Sequence, residues 1–368
     1  NPWNREPVAE VEMADDGAIA HALAVARNRF ASGWSTTPLY QRCDMLKRAA
    51  ATVRERAEEL AVLIATEGGK PLKDARVEAA RAAVTLEEAA AAGLGLEGRE
   101  WGMQRAAGSE NKLAFTVGEP MGVVLAVSAF NHPLNLPCHQ AGPALAAGNT
   151  VLLKPATSTP LCSIKLAEIL AEAGLPEGVL QIVPAPGAAA SALVKSPEVN
   201  FLTFIGSAEV GWNLRRIMAD GTRMSAEHGG NAASIVLADA DLAASMPRIV
   251  LSAYSHAGQV CVSTQRLYVE RAIVDDLCAA LVAQASALKV GDATEADTTI
   301  GPIIEPEELE RVETWVDEAV RRGTQVLLGG TRYTDTTYQA TVLANAPEDA
   351  RVVASEVFGP VVTVQPVD

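Results

Sequence analysis

A cysteine serves as a nucleophile only where its thiolate is accessible and stabilised. Cys261 is a candidate, set in S-A-Y-S-H-A-G-Q-V-C-V-S-T-Q-R (Ser252–Arg266), after Gly258 and Gln259 and just ahead of a strand-like run, Leu267–Glu270. Taken alone, a cysteine in apolar surroundings is more often a small buried hydrophobe than a catalyst. Four other stretches carry complementary chemistry. In S-A-F-N-H-P (Ser128–Pro133), between a strand end and a helix, the Asn131 amide can donate to an oxyanion or merely satisfy a turn. In A-L-A-A-G-N-T-V-L-L-K-P (Ala144–Pro155), Lys154 leaves a strand at the edge where open α/β sheets bind nucleotides, or is a plain surface lysine. F-I-G-S-A-E-V-G (Phe204–Gly211) is a glycine turn opening a helix. Such an N-terminus suits a pyrophosphate, although this one lacks the G-x-G-x-x-G pattern. In E-H-G-G-N (Glu227–Asn231) a carboxylate beside two glycines leaves room for a water; a capping or surface glutamate is the plainer alternative.

Bringing these groups together requires strands whose ends converge. The first hundred residues read as helix. Asp15 or Asp16 can cap a helix with Ile19, Leu23, Ala26 and Phe30 on one face. A second begins near Thr37, carries Leu46, Val53, Leu60 and Ile64, and stops at Gly68-Gly69; an alanine-rich third runs from Pro71 to about Gly93. Gly98–Thr116 reads as an extended arm. From Gly122 the texture alternates: strands at Gly122–Val127, Thr150–Lys154, Val179–Val183 and Asn200–Phe204, helices at Pro160–Ala173 and Val210–Ala219, with Ala233–Leu237 closing the series. That alternation predicts α/β architecture with a parallel sheet covered on both faces. From about Asp239 a second α/β unit follows, with helices at Asp275–Leu288 and Pro306–Arg322 and a strand at Gln325–Leu328.

Composition narrows the partners. The chain has 368 residues, 49% of them hydrophobic, and a net charge of −15 without a Lys/Arg run. Nucleic acid and anionic membranes are bound mainly through clustered positive charge, so neither is expected. Met121–Phe130, the longest largely apolar run, is about half a bilayer span. Five scattered cysteines with no C-x-x-C argue against a disulfide framework or zinc site, and no metal is expected. A cytoplasmic protein is the expectation.

The motifs S-A-F-N-H-P, A-L-A-A-G-N-T-V-L-L-K-P, F-I-G-S, E-H-G-G-N and G-Q-V-C, closed by E-V-F-G-P at Glu356–Pro360, resemble the aldehyde dehydrogenase superfamily in order and spacing across the whole chain. The resemblance implies a Rossmann-type dinucleotide-binding domain (1–97 and 119–228), a protruding oligomerisation arm (98–118) and an α/β catalytic domain (229–368) that is incomplete at its C-terminus relative to the family. By the same analogy Cys261 attacks the aldehyde, Asn131 and the Cys261 N–H hold the oxyanion, and Glu227 activates the water that hydrolyses the thioester. Lys154 and Glu356 are similar to residues that grip the riboses, Phe358 to one beside the nicotinamide, and Gly206 and Ser207 to the turn under the pyrophosphate. The cofactor implied is NADP or NAD, with NADP tolerated because Thr157 replaces a glutamate common in NAD-preferring members. The partners implied are a small aldehyde and further copies of the chain, as a homodimer or homotetramer.

Departures from the family pattern are His139-Gln140 in place of Trp-Lys, Ile205 for threonine and His228 for leucine. The aldehyde entrance would include His132, Asn135, His139, Trp212, Val260 and Val262, with no evident arginine clamp. Competing readings are a silent dinucleotide-binding relative, a CoA-acylating relative, which usually lacks the glutamate, and a cysteine hydrolase pairing His256 with Cys261 on one helix.

Overall fold

The computed structural model describes all 368 residues. Asp15 caps α1 (Asp16–Ala31), its carboxylate accepting from the Ala18 N–H at 2.7 Å, and Ile19, Leu23 and Ala26 form the buried face. The helix expected from Thr37 to Gly68 is two helices, α2 (Leu39–Glu55) and α3 (Ala57–Gly68), because Arg56 between them leaves helical geometry at φ −100°, ψ 18°. Gly69, in the left-handed region, ends α3. Several alanines of α4 (Leu72–Leu94), among them Ala75, Ala79, Ala82 and Ala83, are buried and let neighbouring helices approach closely. The arm carries two short antiparallel strands, β1 (Glu100–Trp101) and β2 (Ala114–Phe115).

The first large sheet follows, built from β3 (Val123–Val127), α5 (Asn135–Ala146), β4 (Thr150–Lys154), α6 (Leu161–Glu172), β5 (Leu180–Ile182), α7 (Gly187–Val194), β6 (Phe201–Gly206), α8 (Ala208–Ile217) and β7 (Arg223–His228). Its order is β5-β4-β3-β6-β7, parallel throughout. Every residue of β3 and β4 is buried, the near-continuous apolar signature of a strand covered on two faces. Val124 and Ala126 face the core shared with α2–α6, while Val123, Leu125 and Val127 face the one shared with α1 and α8.

The second sheet comprises β8 (Ala233–Val236), β9 (Arg266–Glu270), β10 (Gln325–Leu328), β11 (Thr341–Ala344) and β12 (Val361–Val367), with α9 (Leu242–Tyr254), α10 (Val274–Ala285), α11 (Pro306–Arg321) and α12 (Arg351–Ala354) around it. Its order is β10-β11-β12-β9-β8, antiparallel only at β10. One expectation is corrected: Ala233–Leu237 does not close the first sheet, because β8 pairs with β9 in the second. The strand that closes the first is β7, R-M-S-A-E-H. It pairs only with β6 and is mostly exposed, so no apolar run announced it. The chain crosses between sheets at Gly229–Ala232. Asp74 on α4 ties the halves together, accepting from the Ser255 hydroxyl at 3.0 Å and the His256 N–H at 3.1 Å.

Candidate active site

Parallel strands aim their C-terminal ends the same way, and ligands of open α/β sheets bind where the strand order reverses. Here β3 leads to β4 on one side while β6 lies on the other, so the crevice opens beyond β3 and β6. Gln140 of α5 sits across it: its amide donates to the Val127 carbonyl at 3.1 Å and the Thr203 carbonyl at 3.0 Å, and its Oε1 is buried without a partner. Asn131, in the loop after β3, is buried, and its Nδ2 donates to the Gln259 carbonyl at 3.0 Å. One amide proton thereby links the first sheet's rim to the cysteine loop and leaves the other for a ligand.

The cysteine loop is not helical, contrary to expectation. α9 ends at Tyr254, and His256, Ala257 and Gly258 all take positive φ (50°, 55° and 71°). A Cβ at Gly258 would collide with the Gly359 carbonyl, so glycine is required by both conformation and space. Gln259 then anchors the loop: its amide donates to the His256 and Pro302 carbonyls at 3.2 and 3.1 Å and its Oε1 accepts from the Ile304 N–H at 3.0 Å. Cys261 is partly exposed and unpaired. Burial pushes its thiol above the ordinary range, and the charges of Glu227 and Glu356 add to this; the N–H groups of Cys261 and Val262 pull the other way. These N–H groups and the free Asn131 proton are the kind of donors that stabilise an oxyanion. His256 is buried, with both ring nitrogens unpartnered. Its charged neighbours are Lys70, His132 and Glu78, whereas those of Cys261 are Glu227 and Glu356. No His–Cys pair forms.

Glu227, the penultimate residue of β7, lies opposite Ile205, exposed and free of ion pairs and hydrogen bonds. Glu356 is partly buried; burial raises its carboxyl while the Gly230 N–H, donating at 3.0 Å, opposes the rise. Gln265 holds these segments in register, donating to the Gly230 carbonyl at 3.0 Å and accepting from the Val357 N–H at 2.5 Å. Phe358, at φ 48°, meets Phe130 edge to face with centroids 5.8 Å apart. Cys261, Glu227 and Glu356 thus converge, Asn131 joins them through Gln259, and Phe358 joins through the neighbour of Asn131.

The other cofactor candidates lie along the first sheet's C-terminal edge. Lys154 is buried; its ammonium donates to the Pro155 carbonyl at 2.8 Å and pairs with no carboxylate, and burial lowers its pKa. A buried cation with spare donors fits ribose hydroxyls or phosphate. Ser207 caps α8, its hydroxyl accepting from the Val210 N–H at 3.4 Å, and Gly206 precedes it, too close to the Phe204 ring for a Cβ. Thr157 is exposed in the turn after β4, lining a cleft of about 270 Å³ with Ser158 and Glu67. These residues fit a dinucleotide. His228 stands edge-on between Trp212 (4.9 Å) and Phe204 (6.1 Å), in space kept free by Gly211. Sequence reasoning missed Gln259, Gln265 and Asp74, whose partners are remote in sequence. The only available signal was glutamine and aspartate beside the motifs.

The aldehyde dehydrogenase family model matches residues 1–368. The chain is 42% identical to 3-sulfolactaldehyde dehydrogenase of Priestia aryabhattai, over all of this chain and 76% of that protein. Among solved structures it is similar to glyceraldehyde-3-phosphate dehydrogenase of Methanocaldococcus jannaschii complexed with NADP (TM-score 0.94, 31% identity, 100% of this chain and 80% of that one). It is also similar to an NAD-dependent aldehyde dehydrogenase of Sinorhizobium meliloti (TM-score 0.93, 33% identity, 97% and 71%). Whole-chain agreement in sequence and fold, over a cleft that gathers a thiol, two carboxylates and an amide, places this chain in the aldehyde dehydrogenase family, whose members oxidise aldehydes with NAD or NADP.

Proposed function

We propose that Cys261 is the nucleophile, Asn131 the oxyanion donor and Glu227 the general base of a hydrolytic aldehyde dehydrogenase. The observation that carries this is the convergence of the Cys261 thiol with its own and the Val262 N–H, with Glu227 and Glu356 close enough for their charges to act on it. The Cys261 thiolate adds to the aldehyde carbon, and the carbonyl π electrons move to oxygen, where the Asn131 amide and the Cys261 N–H stabilise the charge. The nicotinamide, when bound, supplies the acceptor for the hydride lost by that carbon, and a thioester remains on Cys261. Glu227, exposed and unpaired, takes a proton from water as its oxygen adds to the thioester. Collapse releases the carboxylic acid and returns the electron pair to sulfur. A free carboxylate at this position favours water over a thiol as acceptor.

Lys154, Thr157, Gly206, Ser207, Glu356 and Phe358 would hold the dinucleotide, and Thr157 supports acceptance of NADP by offering a hydroxyl without charge. The residues 1–97 and 119–228 would form the cofactor-binding domain and 229–368 the catalytic one. The arm, 98–118, would pair with another copy to give a homodimer or homotetramer; the exposure of Trp101, Leu113, Phe115 and Val117 supports this. Five unpaired cysteines and the absence of a helix long and apolar enough to cross a membrane accord with a cytoplasmic setting.

Stopped-flow absorbance of the reduced nicotinamide tests the roles. The parent should give a burst followed by slower turnover. Cys261→Ala should give neither, and Glu227→Gln should keep the burst while steady-state turnover falls about a hundredfold or more. Unaltered steady-state turnover in Glu227→Gln would remove it as the base.

A further inference from the structure

Beside Asn131 the mouth of the site is lined by donors, an arrangement that sequence reasoning left as a mixture of polar and apolar groups. Glu78, Arg81 and Thr85 recur at helical spacing on one face of α4, and contacts from Glu78 and Thr85 show that this face meets the start of α5. Glu78 accepts from the Leu134 and Asn135 N–H groups at 2.9 and 3.1 Å and pairs with the buried Lys70. The Thr85 hydroxyl donates to Asn135 Oδ1 at 2.8 Å, so the Asn135 amide N–H groups are left to point elsewhere. His139 Nε2 lies 3.4 Å from the same hydroxyl oxygen.

His132, next to Asn131 in sequence, has its Nδ1 2.6 Å from the Lys70 ammonium. Nδ1 is therefore the acceptor there, and Nε2 carries the proton on the partly exposed side of the ring. Arg81 is exposed, makes no ion pair or hydrogen bond, and its charge is felt at His132. The carboxylate within this cluster, Glu78, is engaged by Lys70 and two backbone donors. The next one along the α4 face, Glu88, lies two turns beyond Arg81, about 10 Å along the axis. In a chain of net charge −15, an uncompensated guanidinium flanked by an amide and an imidazole N–H is a local reversal of sign.

We propose that this rim is an anion-recognition subsite. On this reading the enzyme's substrates are short aldehydes bearing a carboxylate, sulfonate or phosphate, held by Arg81 with Asn135 and His132. The chemistry shared by the three groups is a set of acceptor oxygens with negative charge, which a guanidinium meets with paired donors. Arg81 would also draw such substrates toward the cleft against the protein's overall charge. The assignment rests on Cys261 and Asn131 marking where the aldehyde carbon sits.

The test compares kcat/KM for 4-oxobutanoate, 3-oxopropane-1-sulfonate and glyceraldehyde 3-phosphate with that for uncharged butanal, in the parent, Arg81→Ala and Arg81→Lys. The parent should prefer at least one anion over butanal by tenfold or more, and the favoured one names the group. Arg81→Ala should reduce that ratio at least tenfold, chiefly through KM, and Arg81→Lys should restore part of it. No anion preference in the parent, or a ratio untouched by Arg81→Ala, overturns the proposal. Calorimetric binding of the favoured aldehyde to Cys261→Ala, with and without Arg81→Ala, separates the two readings. Turnover persisting in Cys261→Ala sinks the nucleophile assignment, whereas binding independent of Arg81 sinks the subsite.

Discussion

At the scale of single residues, Cys261 is held back from reactivity. Burial, then Glu227 and Glu356, push its thiol upward against the two backbone N–H groups. Only the thiolate reacts, so in the absence of cofactor its alkylation by iodoacetamide is expected to accelerate with pH to a midpoint above the ordinary thiol range. Removing either carboxylate removes a repulsion, so Glu227→Gln and Glu356→Gln should each move the midpoint to lower pH. A midpoint unmoved by both would contradict the proximity of these charges. Thr157 carries a second prediction. Thr157→Glu sets a carboxylate against a 2′-phosphate and should weaken NADP relative to NAD by about tenfold, or about 1.4 kcal/mol. Equal losses for both cofactors, in a fluorescence titration, would place Thr157 away from the phosphate.

At the scale of elements, α5 is the strut on which Asn131 and Gln140 depend, and Glu78 fixes its start. Burial raises the Glu78 carboxyl, but the charge of the adjacent Lys70 and its hydrogen bond outweigh it and hold it at about 2, below its ordinary 4.5. A carboxyl depressed on folding stabilises the protein fully above its unfolded value. That contribution should fade from about pH 4.5 downward and be gone below about pH 2. Breaking a buried pair strands a charge, so Glu78→Ala should cost about 3–5 kcal/mol, read as a lower midpoint of urea unfolding. Lys70→Met combined with Glu78→Leu should cost less than the two single changes summed; strict additivity would mean the pair is not coupled. Much at this scale was legible. β3 and β4 read as apolar runs because both faces are covered, and Asp15 announced α1 by its capping chemistry. β7 was not, since an exposed edge strand need not be apolar, and neither was the break at Arg56, where helical periodicity continues on both sides. Arg81 and Thr85 stayed hidden because only the packing of α4 on α5 brings them near His132 and Asn135.

At the scale of the whole molecule, the motifs identified the family before any contact was known, since each sits where a chain segment enters the cleft. What they could not give is the bracing between segments, made by Gln259, Gln265 and Asp74 across long sequence intervals. Gly229 tests that bracing. A Cβ there would overlap the Glu356 carboxylate, so Gly229→Ala should displace Glu356 and weaken dinucleotide binding about tenfold, or about 1.4 kcal/mol. The thermal midpoint should move little; unaltered cofactor affinity would show that Glu356 does not contact the dinucleotide.

The crossing from one sheet to the other at Gly229–Ala232 also has a consequence for the protein's birth. Asn131 and Glu227 belong to the half synthesised first, Cys261 and Glu356 to the half that follows. A nascent chain that has completed only its first half carries the proposed base and amide donor with no sulfur to serve. Docking of the second half then supplies the proposed nucleophile together with Glu356, so on that proposal incompletely folded copies are chemically mute.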